Sequence, residues 1–205
     1  QNYKFTLDNN KKYFVRICKE IPEHLIKRKN EINASTAASE IGVSPKIIYS
    51  NNELIVFDFL KGKTLNEKDV GVNIIEIINL LKKVHLHVPK KIRGSPNMFW
   101  VFHIIRYYKY FLEKNNSNYK KILKELILKS EKIEKNSSPF DIVYAHNDLL
   151  AANFIKNSKK LFLVDWEYAG YNTPLFDLGG LSSNNNFSKK QEIIMLENYF
   201  EKKVS

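Results

Sequence analysis

Apolar and polar positions along this chain follow two periods, and the switches between them mark its elements. Residues 3–7 and 12–18 are rich in aromatic and β-branched side chains, which predicts two strands. Asp8-Asn9-Asn10 between them predicts a hairpin turn. Residues 44–49 and 53–58 predict a second strand pair turning at Ser50-Asn51-Asn52. Between the two pairs, residues 22–41 predict a helix that opens after Pro22 and stops at Gly42. Residues 73–87 place Ile74, Ile77, Ile78, Leu81 and Val84 on one face of an amphipathic helix. His85 and His87 are two apart and share no helical face, so packing or surface positions suit them better than metal ligation.

The second half continues in the helical period. Residues 89–96 are a Pro- and Lys-rich loop. Residues 99–113 hold Trp100, Phe102, Tyr107, Tyr108, Tyr110 and Phe111. That density predicts a packed helix, or an aromatic lining for a quaternary ammonium held by cation–π attraction. Residues 118–135 predict another amphipathic helix. Short strands at 154–155 and 161–164 flank the Lys156-Asn157-Ser158-Lys159 turn, and Pro174 opens a helix over 174–182. Ser188 followed by Gln191 forms a capping box for a last helix ending at Phe200.

Composition narrows the class. The 205 residues are 43% hydrophobic, enough for one large domain or two small lobes. No apolar run reaches the ~18 residues of a membrane span, so stable membrane insertion is not expected. Cys18 is the single cysteine; it lies in an apolar run and reads as a buried, inert thiol of a reducing, cytoplasmic setting. The net charge is +11, from 33 basic and 22 acidic residues. The lysines are scattered over helical stretches without a long block, which predicts a solvated basic surface. No zinc spacing, internal repeat or RNA-binding signature is present, and a nucleic-acid partner is not expected.

The chemistry sits in one stretch. His146-Asn147-Asp148-Leu149-Leu150-Ala151-Ala152-Asn153 carries an Asp and, five residues on, an Asn. The next apolar run, residues 161–164, ends in Asp165. Phosphoryl transfer needs a carboxylate near the attacking hydroxyl and oxygen ligands for the magnesium that carries the nucleotide phosphates. H-x-D-x-x-x-x-N followed by such an Asp matches the spacing of the protein-kinase catalytic loop and metal-binding Asp.

The residues around these acids resemble the choline/ethanolamine kinase family. His146-Asn147-Asp148-Leu149-Leu150, Asp165-Trp166-Glu167-Tyr168-Ala169-Gly170-Tyr171-Asn172 and Phe176-Asp177-Leu178-Gly179 carry the resemblance. It covers nearly the whole chain and is densest over residues 144–187. The family belongs to the aminoglycoside-phosphotransferase-like kinases. The resemblance therefore implies an α+β, bilobal, protein-kinase-like fold. Residues 1–58 would form a small antiparallel-sheet N-lobe, 59–65 a hinge, and 66–205 a mainly helical C-lobe.

The resemblance also implies roles. Asp148 would hold the acceptor hydroxyl and take its proton. Asn153 and Asp165 would bind Mg2+. Arg16 would brace the phosphates of ATP with Glu31 orienting it, and Asp58, Phe59 and Leu60 would line the adenine site at the hinge. His146 would be a structural residue of the loop with a backbone partner. Glu167, Tyr168, Phe176 and Asp177 would face the substrate, supplying aromatic faces and negative charge for an amino-alcohol, choline or ethanolamine. Two features depart from the family. Asn184 stands where many members have an acid, which weakens the case for a cationic substrate. No glycine precedes Gly42, so the Gly-rich phosphate loop is missing, and the chain reads as a fragment of a longer kinase, short at both ends. An aminoglycoside or thiamine remains as an alternative acceptor. A catalytically silent nucleotide-binding protein with the same fold remains as an alternative of another class.

Overall fold

A computed structural model describes residues 1–17, 20–21, 24–137 and 141–204, without the side chains of Lys120 and Lys121. Cys18, expected as a buried thiol, lies outside the described residues. The first hairpin joins β1 (Asn2–Thr6) to β2 (Lys12–Ile17), with Asn10 at φ 61° in its turn. Then come α1 (Arg28–Glu40), β3 (Ile47–Ser50) and β4 (Leu54–Asp58). The four strands form one antiparallel sheet in the order β1-β2-β4-β3. Arg16 on β2 lies opposite Ile55 on β4.

The first helix starts later than its sequence pattern suggests. The expectation was an opening after Pro22, which itself lies outside the described residues; α1 begins at Arg28. Backbone bonds join Ile21 and Ile26 in both directions, and Leu25 adopts φ 58° between them. Ile26 is buried there, and its N–H is spent on the Ile21 carbonyl, five residues back, outside the helical pattern. At the other end Gly42 adopts φ +71°, a conformation that costs glycine no Cβ clash. The Val43 N–H then donates back to the Ala38 carbonyl, and the helix stops.

Beyond β4 the chain is mainly helical. A two-residue strand β5 (Lys63–Thr64) leads to α2 (Glu67–Val72), α3 (Ile74–His87), α4 (Val101–Lys114) and α5 (Lys120–Lys135). The short α2 carries its own capping box between Asn66 and Asp69, a signal absent from the sequence reading. Strands β6 (Val143–Ala145), β7 (Phe154–Lys156), β8 (Leu161–Leu163) and β9 (Gly170–Asn172) follow. They precede α6 (Pro174–Asn184) and α7 (Lys189–Phe200). Strand β7 pairs with both β5 and β8, and β6 pairs with β9.

One core organises this half. Ile74, Ile77, Ile78, Leu81 and Val84, the predicted face of α3, are all buried. They pack with Tyr144, Leu149, Phe154, Leu163, Trp166 and Leu178. Burial of each large apolar side chain contributes roughly 1.5–3 kcal/mol, so this cluster fixes the strand ends from which the polar loops project. The capping box at Ser188 and Gln191 forms as the sequence predicts. Among the described residues no helix is long and apolar enough to cross a membrane. One four-stranded antiparallel sheet, two smaller antiparallel sheets and a helical remainder make the α+β class expected from the sequence.

Candidate active site

Two short pairings set the polar loops face to face. Pairing of β6 with β9 puts Ala145 beside Gly170. The chain leaving β6 is therefore held against the chain entering β9. Pairing of β7 with β8 puts Phe154 beside Leu163. Asn153 and Asp165 flank that hairpin, and the Val164 N–H donates to the Asn153 carbonyl at 2.9 Å.

Asn153 sits in a single 3-10 turn, Ala151–Asn153. Its side-chain amide donates to the Asp148 carbonyl at 2.8 Å and to Asp148 Oδ2 at 3.1 Å. Both contacts use the amide nitrogen, which leaves the amide oxygen for a cation. Burial pushes the Asp148 carboxyl above the usual aspartate range. His146 and the Asn153 bond oppose this, while the charges of Asp165 and Asp177 reinforce it.

Asp165 adopts φ 69° and Asn147 φ 67°. Left-handed backbone is uncommon away from glycine and tends to gather at functional sites. Both residues are held from outside. The Asn147 amide nitrogen donates to the Tyr168 carbonyl at 3.0 Å, and its oxygen accepts from Asn172 at 2.8 Å. Asp165 meets Arg16, with Nη1 donating to Oδ2 at 3.1 Å and Nη2 lying 2.7 Å from Oδ1. Asp165 Oδ1 is buried and accepts no hydrogen bond; its contact with Arg16 is an ion pair without hydrogen-bond geometry.

Arg16 is the hub of an ion-pair cluster. Its Nε lies 2.6 Å from Glu31 Oε1, and its Nη2 is 2.7 Å from Glu167 Oε2. Glu31 Oε2 also accepts from Arg28 Nη1 at 2.8 Å, and both partners of that pair are buried. Burial pushes the Glu167 carboxyl up, helped by Asp165 and opposed by Arg16. Two guanidinium groups thus face Glu31, Asp165 and Glu167, with Asp148 close enough to act on Glu167. The surplus is negative and calls for a cation.

A cleft of about 250 Å3 lies between the sheet and the β7–β8 hairpin. Asp58, Phe59 and Leu60 line it together with Phe14, Phe57 and Val164. Gly62 also lines it, and a Cβ there would meet the Lys156 carbonyl oxygen at 2.8 Å. Any larger residue would force the cleft floor apart.

Phe99 brings Tyr168 and Phe176 together. Its ring is edge-on to Tyr168 at 6.2 Å and tilted against Phe176 at 5.6 Å. Burial and then the Glu167 charge push the Tyr168 hydroxyl up to about 12, so it stays protonated.

Asp177 departs from its expected place. It was assigned to the substrate side, but its side chain is wholly buried. Oδ1 accepts from the Asn147 N–H at 2.7 Å, and Oδ2 accepts from the His146 N–H at 2.9 Å and contacts His85 Nε2 at 2.9 Å. Burial alone would raise this carboxyl. The His85 bond, the neighbouring imidazoles of His85 and His146 and the backbone donor bring it below the usual range instead. Its charge is spent on the loop and is not offered to a ligand. His146 has a backbone partner, with its Nε2 3.0 Å from the Val164 carbonyl and its ring edge-on to Trp166. His85 carries no local sequence signal for these contacts, since its partners are 92 and 114 residues away.

The sequence profile of choline/ethanolamine kinase matches residues 2–196. The chain belongs to the choline/ethanolamine kinase family. Protein LicA of Haemophilus influenzae is 27% identical over 203 residues, covering 92% of this chain and 56% of that protein. A probable ethanolamine kinase of Arabidopsis thaliana is 31% identical over 191 residues, covering 84% of this chain and 49% of that protein. The chain thus spans about half the length of these curated relatives. The crystal structure of choline kinase LicA from Streptococcus pneumoniae superposes with a TM-score of 0.82 at 25% identity, covering all of this chain and 73% of that one. A second structure of LicA, in complex with AMP, superposes at 0.80.

Proposed function

We propose that the chain is the core of an ATP-dependent kinase that phosphorylates the hydroxyl of choline or ethanolamine. The observation that carries this reading is the convergence of Asp148, Asn153 and Asp165. Asp148 and Asn153 share a hydrogen bond, and the charge of Asp165 acts on Asp148. Family membership gives the reaction class. An AMP-bound relative of the same fold supports a nucleotide in the cleft at Asp58, Phe59 and Leu60.

Asp148 takes the role of acceptor-side base. Burial raises the Asp148 carboxyl, which increases its affinity for the hydroxyl proton. Positioning is its larger contribution, because a loose phosphoryl transition state needs little help from a base. The residues present fit Mg2+: the Asn153 amide oxygen is left over, and Asp165 Oδ1 is buried without a donor. Bound there with ATP, Mg2+ would neutralise developing charge on the phosphates. Among the described residues there is no cluster of three His, Cys, Asp or Glu side chains for a metal. An ion held by one amide and one carboxylate is suited to sharing phosphate oxygens. Arg16 braces the phosphates and is itself oriented by Glu31. Residues 1–58 would then act as the nucleotide-side lobe, 59–65 as the hinge and 66–205 as the acceptor side. Tyr168 and Phe176, gathered by Phe99, offer the ring faces a trimethylammonium group needs. Glu167 adds negative charge beside them.

The test is phosphate transfer by the full-length protein from ATP to choline, ethanolamine, an aminoglycoside and thiamine, with a no-acceptor control. Turnover with choline or ethanolamine well above the other acceptors is expected. Turnover with an aminoglycoside alone would overturn the substrate. Nucleotide binding without transfer to any acceptor would mark the protein as catalytically silent.

A further inference from the structure

Three contacts on one buried carboxylate tie the loop before Asp148 to helices beyond it. Asp177 lies in the first turn of α6 and receives the N–H groups of His146 and Asn147. These are the two residues directly before Asp148. His85, in the last turn of α3, approaches Asp177 through Nε2 at 2.9 Å. Its Nδ1 lies 2.7 Å from the hydroxyl of Tyr199, near the end of α7, and the two rings meet edge to face at 5.6 Å. Three helices, distant in sequence, thus converge on two adjacent backbone amides.

The donors and acceptors of the three groups balance in one arrangement. Tyr199 O–H donates to Nδ1, and Nε2–H donates to Asp177 Oδ2. Burial and then the Asp177 charge push the Tyr199 hydroxyl up to about 12, so it keeps its proton. Asn147 has a left-handed φ of 67°, which asparagine tolerates better than most side chains, and its N–H is fixed in that turn by Asp177. A loop released there would turn Asp148 away from its hydrogen bond with Asn153.

We propose that His85 and Tyr199 are positioning residues: a hydrogen-bonded relay, Tyr199–His85–Asp177, that holds the His146–Asn147 backbone and so aims Asp148. The catalytic part of this inference rests on the kinase reading above. Neither residue touches the reacting atoms. The competing view is that both merely fill the core between α3 and α7, in which case an apolar replacement of similar size would leave the loop unchanged.

The experiment compares His85→Leu, His85→Gln and Tyr199→Phe in the full-length protein by two readouts. The first is amide hydrogen exchange at His146 and Asn147. The second is kcat and KM for ATP. The relay predicts faster exchange at both amides in His85→Leu and Tyr199→Phe, with His85→Gln close to wild type because glutamine can both donate and accept. In kinetics, kcat of His85→Leu should fall on the order of 10²-fold, the scale of a misaimed catalytic group. KM for ATP should stay within about two-fold, because the loss lies in the chemical step. Unchanged exchange at His146 and Asn147 in both His85→Leu and Tyr199→Phe overturns the relay, whether or not the protein proves to be a kinase. Equal loss in His85→Leu and His85→Gln overturns it too. A wild-type protein that transfers no phosphate to any acceptor sinks the kinase reading alone, and the exchange data still decide the relay. Tyr199→Phe removes one oxygen, so it remains informative should His85→Leu fail to fold.

Discussion

In the proposed reaction Asp148 is the acceptor-side base, and a raised carboxyl suits that role. Burial raises its carboxyl, and the Asn153 bond and His146 hold the rise in check. The sign for stability follows. A carboxyl whose folded pKa is raised favours the fold while protonated, and that contribution is lost as pH rises through the folded value. Above that value the charged Asp148 is a net cost. Asp148→Asn should therefore leave the melting temperature at pH 7 unchanged or higher, while kcat falls by roughly 10²–10⁴-fold. The acid limb of the wild-type pH–rate profile should lie above the ~3.9 of an ordinary aspartate. A variant that melts lower and turns over normally would remove Asp148 from the chemistry.

Helix α1 matters to the site through one face of its first turn. Glu31 is buried between Arg16 of β2 and Arg28 of its own turn. Removing one partner of a buried ion pair costs about 3–5 kcal/mol, because the other charge stays buried. Glu31→Gln keeps the volume, and Arg16 retains Asp165 and Glu167, so about 3 kcal/mol is expected, read from urea unfolding. Loss of less than about 0.5 kcal/mol, the range of an ordinary surface change, would show that Arg16 does not depend on Glu31. Helix α3 makes the same point differently. Its apolar face was readable from spacing, yet its most consequential side chain is polar His85, at the edge of that face.

Across the whole molecule, the sheet and the catalytic loops are joined by charge over long sequence distances. Arg16 reaches residues 149 and 151 positions away. A magnesium–nucleotide complex at Asp165 would satisfy the surplus negative charge and bind only the folded chain. At a ligand concentration of about 100 times Kd this linkage adds ~2.7 kcal/mol, or roughly 5–11 °C for a chain of this size. A non-hydrolysable ATP analogue with Mg2+ should produce that shift in the full-length protein. Chelating the metal, or Asp165→Ala, should remove most of it. A shift of full size without metal would take Asp165 out of the ion's coordination.

Local order determined what the sequence alone could fix. The hairpin turns, the α3 face, the Gly42 stop and the Ser188 capping box each depend on residues a few positions apart, and all were legible. The Asp148, Asn153 and Asp165 spacing was legible for the same reason, since one β-hairpin separates the metal-site candidates. Contacts made across the fold were not. Asp177 reads as one more acid beside the substrate motif, and only the packing of α6 against β6 turns it inward to the loop backbone. His85 and Tyr199 have no periodic or motif signal, because their meaning comes from partners on other helices. The late start of α1 likewise goes with the Ile21–Ile26 backbone pairing, where tertiary burial of Ile26 outweighed the helical pattern. Short-range spacing writes itself into sequence, whereas the burial of a charge is settled only when distant elements close around it.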